Sequence, residues 1–173
     1  MFLQMRMKIN IVVLLSVLMS CSMPKVEQEP CHTIQHEDID LTIKSMEDYA
    51  AMNWDDHRSS YTEDGTVSIN SLKEEDILGI DESIATYKAQ RENGPWSDFF
   101  WTGINADRVI LDYPGLDPEA WVFVWCDWNG VLAETGDTIS AAVHIANRMS
   151  PDGLIRYHYV NMDKAPIVTA LAK

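Results

Sequence analysis

Everything after Trp96 reads as β-strand, and this constrains the chain more than any other feature. Four stretches rich in β-branched and aromatic residues cover 99–113, 121–134, 138–149 and 154–162. Between them stand Pro114-Gly115, Thr135-Gly136-Asp137 and Ser150-Pro151-Asp152-Gly153. Connections this short and rich in turn formers join neighbours head to tail, so the strands form successive antiparallel hairpins.

Upstream the period changes. Ile43, Met46, Ala50 and Trp54 recur at steps of three and four, which predicts an amphipathic helix over 41–54. A short helix over 56–61, a turn at Glu63-Asp64-Gly65 and a short strand over 66–70 follow. A third helix over 79–91 takes Asp81 as its N-cap and is stopped by Asn93-Gly94-Pro95. No internal repeat is present. About 130 residues, 39–173, make one domain with apolar and aromatic residues enough for a core.

The start of the chain has a different character. Arg6 and Lys8 precede an apolar run that ends at Leu18-Met19-Ser20-Cys21, the pattern of an export leader over 1–20. Leu-x-Ser-Cys resembles a lipobox, which implies acylation of Cys21 and anchorage in the cell envelope; Ser22 is similar to the residue that permits sorting to the outer membrane. Residues 21–38, with two prolines and no apolar period, read as a tether. His32, His36, Glu37 and Asp38 within it read as solvated linker, not as metal ligands. Cleavage would remove two basic side chains from a chain that carries 13 against 27 acidic ones, so its field repels nucleic acid. Cys31 and Cys126 read as separate thiols, with a disulfide as the alternative that export would allow. No phosphate loop and no spaced Cys/His set calls for a cofactor or metal.

Three segments carry a family resemblance. Tyr49-Ala50-Ala51-Met52-Asn53-Trp54-Asp55-Asp56, Tyr61-Thr62-Glu63-Asp64-Gly65-Thr66-Val67 and Asp152-Gly153-Leu154-Ile155-Arg156-Tyr157-His158-Tyr159 resemble, in order and spacing, the nuclear transport factor 2-like superfamily in its SnoaL-like and ketosteroid-isomerase-like branches. The resemblance implies an α+β fold, a cone-shaped barrel in which a curved antiparallel sheet is closed at its mouth by the N-terminal helices. It also implies an apolar cavity for a small hydrophobic ligand. The isomerase base would fall at Ser68 or Ile69, neither a carboxylate, and its oxyanion acid near His144 or Ile145, with Tyr49 near the oxyanion tyrosine. In Gly153-Leu154-Ile155-Arg156-Tyr157-His158-Tyr159-Val160 the cyclase histidine is His158, and Val160 replaces the aspartate that moves the proton.

Strand register suggests a different site. Centring one hairpin on Thr135-Gly136 and the next on Pro151-Asp152 sets Asp127 opposite His144 and His144 opposite Tyr159. Phe123, Trp125 and Tyr157 share that face. An aspartate holding one imidazole nitrogen leaves the other to move a proton beside a tyrosine, so Asp127, His144 and Tyr159 are the candidate catalytic set. The plain alternative makes them ordinary sheet residues beside packed aromatics. Tyr49, Trp54, Trp101, Trp125 and His158 are the expected ligand contacts. The leading reading is a membrane-anchored protein that binds a small apolar molecule without the family's catalytic set. An isomerase, cyclase or hydratase using Asp127, His144 and Tyr159 is second, and a sheet face that pairs as a homodimer or docks a partner is third.

Overall fold

The four long strands form the bulk of one seven-stranded sheet in a computed structural model, which describes residues 30–172. The leader and Cys21 lie outside the described residues. Among those described, no helix is long and apolar enough to cross a membrane. In chain order the elements are β1 (His32–Thr33), α1 (Glu37–Ala50), α2 (Trp54–Ser59), β2 (Tyr61–Ile69), β3 (Leu78–Gly79), α3 (Ile80–Asn93), β4 (Trp96–Leu111), β5 (Glu119–Leu132), β6 (Thr138–Met149), β7 (Ile155–Met162) and α4 (Ala165–Leu171). A single 3-10 turn, Glu74–Asp76, precedes β3. The sheet order is β1-β4-β5-β6-β7-β2-β3, with β2 parallel to β7 and every other pair antiparallel.

The sheet bends where β4 carries an extra residue against β5, between Thr102 and Asn105. Gly103, at φ +64°, takes the left-handed conformation this bulge needs. On the inner face Val122, Val124 and Cys126 of β5 meet Val143 and Ile145 of β6, all buried. Ile39 and Met46 of α1 join the same core. Trp101 Nε1 donates to the Met46 carbonyl at 2.9 Å and ties β4 beneath the helix.

Three expectations about the N-terminal segments are corrected. First, α1 begins at Glu37, not at 41, because His36 caps it: its Nδ1 accepts from the Asp38 backbone N–H at 3.0 Å. The tether therefore gives way earlier than expected. Cys31 accepts from Ile110 N–H at 2.9 Å, and β1 pairs with β4. Asp38, buried, forms a 2.6 Å ion pair with buried Arg108. Second, Gly79 and not Asp81 caps α3; the Asp81 carboxylate accepts from Arg58 Nε at 2.7 Å instead. Third, the turn read at Glu63-Asp64-Gly65 is absorbed into β2, where pairing with β7 is interrupted between Tyr61 and Thr66. Cys31 is exposed, Cys126 buried, and each is a free thiol.

The register is also corrected. His144 lies opposite Trp125, and Asp127 opposite Ala142. The β5–β6 loop closes two residues earlier than a tight turn on Thr135-Gly136 would. Leu132 N–H bonds to the Asp137 carbonyl and Gly136 N–H to the Leu132 carbonyl, with Gly136 left-handed at φ +76° as the last loop residue. At the next hairpin Ser150 N–H bonds to the Leu154 carbonyl, adding one loop residue, and a bulge between the Arg148 and Met149 pairs adds a second. His144 thus faces Asn161, and Tyr159 faces Ala146. Both shifts are even, so the predicted residues still share a face, but it is the outer one.

Candidate functional site

Helix α1 crosses the inner face of the sheet and leaves beneath it a cavity of about 310 Å³. Its wall is aromatic because β4 and β5 present alternate residues inward. Trp96, Phe99 and Trp101 come from β4 and Trp128 from β5. Tyr49 of α1 stands at the centre. It is stacked on Phe99 (centroids 6.2 Å, 5°) and edge-on to Tyr87 of α3 at 5.2 Å. Behind the wall the Arg91 guanidinium sits 4.1 Å over the Phe99 ring, which fixes that ring's plane.

The polar atoms gather at one end. His57, buried on the six-residue helix α2, places Nδ1 2.9 Å from the Ser45 carbonyl. Ser45 Oγ stands 3.0 Å from the same Nδ1 and can accept as well as donate, whereas the carbonyl only accepts; Nδ1 therefore carries the proton and Nε2 holds a lone pair. That Nε2 is buried with no hydrogen-bond partner among the described residues. His158 of β7 lines the same cavity, with Nδ1 2.6 Å from Asn147 Oδ1. In the orientation assigned to the Asn147 amide, Nδ2 donates to Thr42 Oγ1 at 3.3 Å and Oδ1 faces His158, from which it accepts. The second imidazole thereby also presents an unprotonated Nε2.

Burial holds this end neutral. It pulls His158 down to about 3, with the neighbouring His57 adding to the fall, and it lowers His57 as well. Burial raises the Tyr49 phenol to about 12, against a smaller pull from Arg91. Tyr61 and Tyr87 are raised by burial too, Tyr61 against a hydrogen bond with Ser45. Among the described residues, no acidic side chain lines the cavity. Exposed Lys164 stands at the lip with Ile69 and Val168.

Of the sequence-predicted contacts, Tyr49, Trp101 and His158 line this cavity. Trp54 does not; it packs edge-on against Tyr49 at 6.0 Å from α2. Trp125 is corrected to the outer face, 47% exposed. Asp127, His144 and Tyr159 share that outer face and lie outside the cavity. His144 is sandwiched in an aromatic row, parallel to Phe123 at 6.0 Å and 5.1 Å from Trp125. Ser68 is buried and bonds to the Ser71 carbonyl. Sequence reasoning missed His57, Tyr87 and Asn147. Asn147 carried a signal, since it falls in phase with Val143 and Ile145 on β6. His57 carried none, because Asp55-Asp56-His57-Arg58 is charged or polar throughout and shows no apolar face.

Gly130 of β5 lies against two indoles of the cavity wall. A methyl added there would meet the Trp128 ring and lie 2.7 Å from that of Trp96, and these two rings are already packed edge to face at 5.1 Å. Gly130→Ala is expected to drive the indoles toward the cavity and destabilise the fold by about 1–2 kcal/mol. A lower urea midpoint together with altered tryptophan emission checks this; an unchanged midpoint would contradict it.

No protein-family model and no curated protein matches the sequence. The fold, however, matches solved structures closely in extent. A SnoaL-like polyketide cyclase candidate from Jannaschia sp. CCS1 aligns with TM-score 0.60 at 13% identity, over 84% of this chain and 96% of that one. IdmH, a polyketide cyclase candidate from Streptomyces antibioticus, aligns with TM-score 0.59 at 14% identity, over 80% and 100%. A phenazine biosynthesis-related protein from Pseudomonas aeruginosa gives 0.54 at 15%, over 90% and 92%. The chain therefore has the SnoaL-like, nuclear transport factor 2-like cone fold.

Proposed function

We propose that this chain holds a small, largely apolar, flat molecule in its cone and does so as a lipid-anchored protein of the cell envelope, outer membrane included, through Cys21. The observation that carries the binding reading is the cavity itself. Its volume of about 310 Å³ sits at the small end of ligand pockets, which run to about 300–1,000 Å³, and aromatic faces line it with a few convergent polar atoms. The catalytic reading built on Asp127, His144 and Tyr159 has no geometric support, since those residues face away from the cavity. Fold likeness to cyclases does not restore it, because one fold serves many chemistries.

Native mass spectrometry of the protein taken from its own envelope tests both halves. The expected spectrum carries a small organic adduct that is lost on denaturation and acyl groups that remain on Cys21. An adduct-free species argues against the binding reading, and an unacylated chain against the anchor.

The outer sheet face supports a second proposal. Trp121 and Phe123 stack at 6.1 Å, Trp125 is exposed beside them, and Tyr157 meets Trp121 edge-on. A second copy of the chain would cover this row, and light scattering that finds only monomer would count against it.

A further inference from the structure

We infer that the cavity's polar end, His57 Nε2 with His158 Nε2, is a hydrogen-bond-accepting subsite that selects an uncharged ligand bearing a hydroxyl group. This rests on the binding reading above and specifies its chemistry. The two imidazoles reach the same electronic state by different routes. His57 spends its proton on the Ser45 carbonyl at 2.9 Å, and His158 spends its own on Asn147 at 2.6 Å. Each is left with an in-plane lone pair. No hydrogen bond to either Nε2 is made among the described residues, and that of His57 is fully buried. A buried acceptor without a donor costs roughly 1–3 kcal/mol, a cost that a ligand donor removes on binding.

The donor must come from the ligand, and its charge is restricted. A carboxylate or phosphate would place negative oxygens against two lone pairs, and among the described lining residues the one cationic side chain, Lys164, is exposed at the lip and not at the histidines. An ammonium group would gain from the lone pairs but lose its hydration in an aromatic chamber without a carboxylate. An alcohol or phenol supplies one proton at low desolvation cost, while its ring or chain packs against Tyr49, Phe99 and Trp101. Selectivity arises because an analogue lacking the hydroxyl leaves the acceptors unpaired.

Equilibrium dialysis of the full chain against 2-naphthol, naphthalene and 2-naphthoate tests the assignment. The expected result is 2-naphthol bound about tenfold more tightly than either of the others, one good hydrogen bond to a formerly unpaired group being worth that ratio. His57→Leu is expected to bring 2-naphthol down to the affinity of naphthalene. Should that variant not fold, ¹⁵N spectra of the unaltered chain give the same answer: the His57 Nε2 resonance shifts with 2-naphthol and stays in place with naphthalene. Equal binding of naphthol and naphthalene, as when a resident water already serves Nε2, overturns the subsite and leaves the apolar cavity standing. Tightest binding of naphthoate does the same. Failure of all three to bind overturns the binding reading itself.

Discussion

Asp38→Ala is expected to destabilise the protein by about 3–5 kcal/mol, more than any other single truncation described here. The carboxylate and the Arg108 guanidinium are both nearly inaccessible, 5% and 6% exposed, and meet at 2.6 Å. Both charges are nearly inaccessible to water, so removing the carboxylate takes from a buried guanidinium a charge-assisted bond that water cannot replace. The position amplifies the effect. Asp38 stands in the first turn of α1, where an acid also favours the helix N-terminus, and the bond spans from that turn to the last third of β4. The measurement is the urea midpoint. Asp38→Asn, which keeps an acceptor oxygen, is expected to recover part of the loss; an alanine variant as stable as the parent would show that the pair contributes nothing.

Acidification is the second large expected effect, and its sign follows from the direction of the histidine shifts. An unfolded histidine titrates near 6.5. In the folded chain His158 is held down to about 3 by burial, with His57 lowered in the same direction. Between these values the unfolded chain takes up a proton that the folded chain refuses, so stability falls as pH drops from about 6.5 toward 3 and falls no further from this group below it. At pH 4.5 the loss from His158 is about 2–3 kcal/mol, water within the cavity trimming the upper figure. Urea titrations at pH 7 and pH 4.5 read it directly. His158→Phe is expected to lose less stability across that interval than the parent, whatever its stability at pH 7. Equal losses would show that the imbalance resides elsewhere.

The long strands were legible because β-branched and aromatic runs coincide with turn formers at each end, and β6 is placed at Thr138–Met149 by sequence and structure alike. Register was not. It depends on which residue of Glu134-Thr135-Gly136-Asp137 takes the left-handed conformation, and Gly136 at φ +76° serves equally well as the end of a longer loop. Nor could the sequence tell inside from outside on β5. Trp121-Val122-Phe123-Val124-Trp125-Cys126 is apolar at every position, so alternation, the usual guide to the buried face, is silent there. The larger aromatics lie outward and the smaller residues inward, because α1 packs over the inner face and leaves room for valine. At the polar end, Tyr49 and His158 were reachable by resemblance. His57 becomes a site residue only through a two-turn helix whose placement depends on Met52, left-handed at φ 60°, redirecting the chain after α1.

Helix α4 buries none of its own residues, yet Ile167 and Val168 belong to the rim of the cavity. The doorway is thus framed on one side by a seven-residue helix that is held to the core through the half-buried Ile167, while other lining residues come from the sheet. Residence time of a guest should accordingly track the fraying of seven C-terminal residues and be tunable by helix propensity there, with the affinity-setting contacts deep in the cone left as they are.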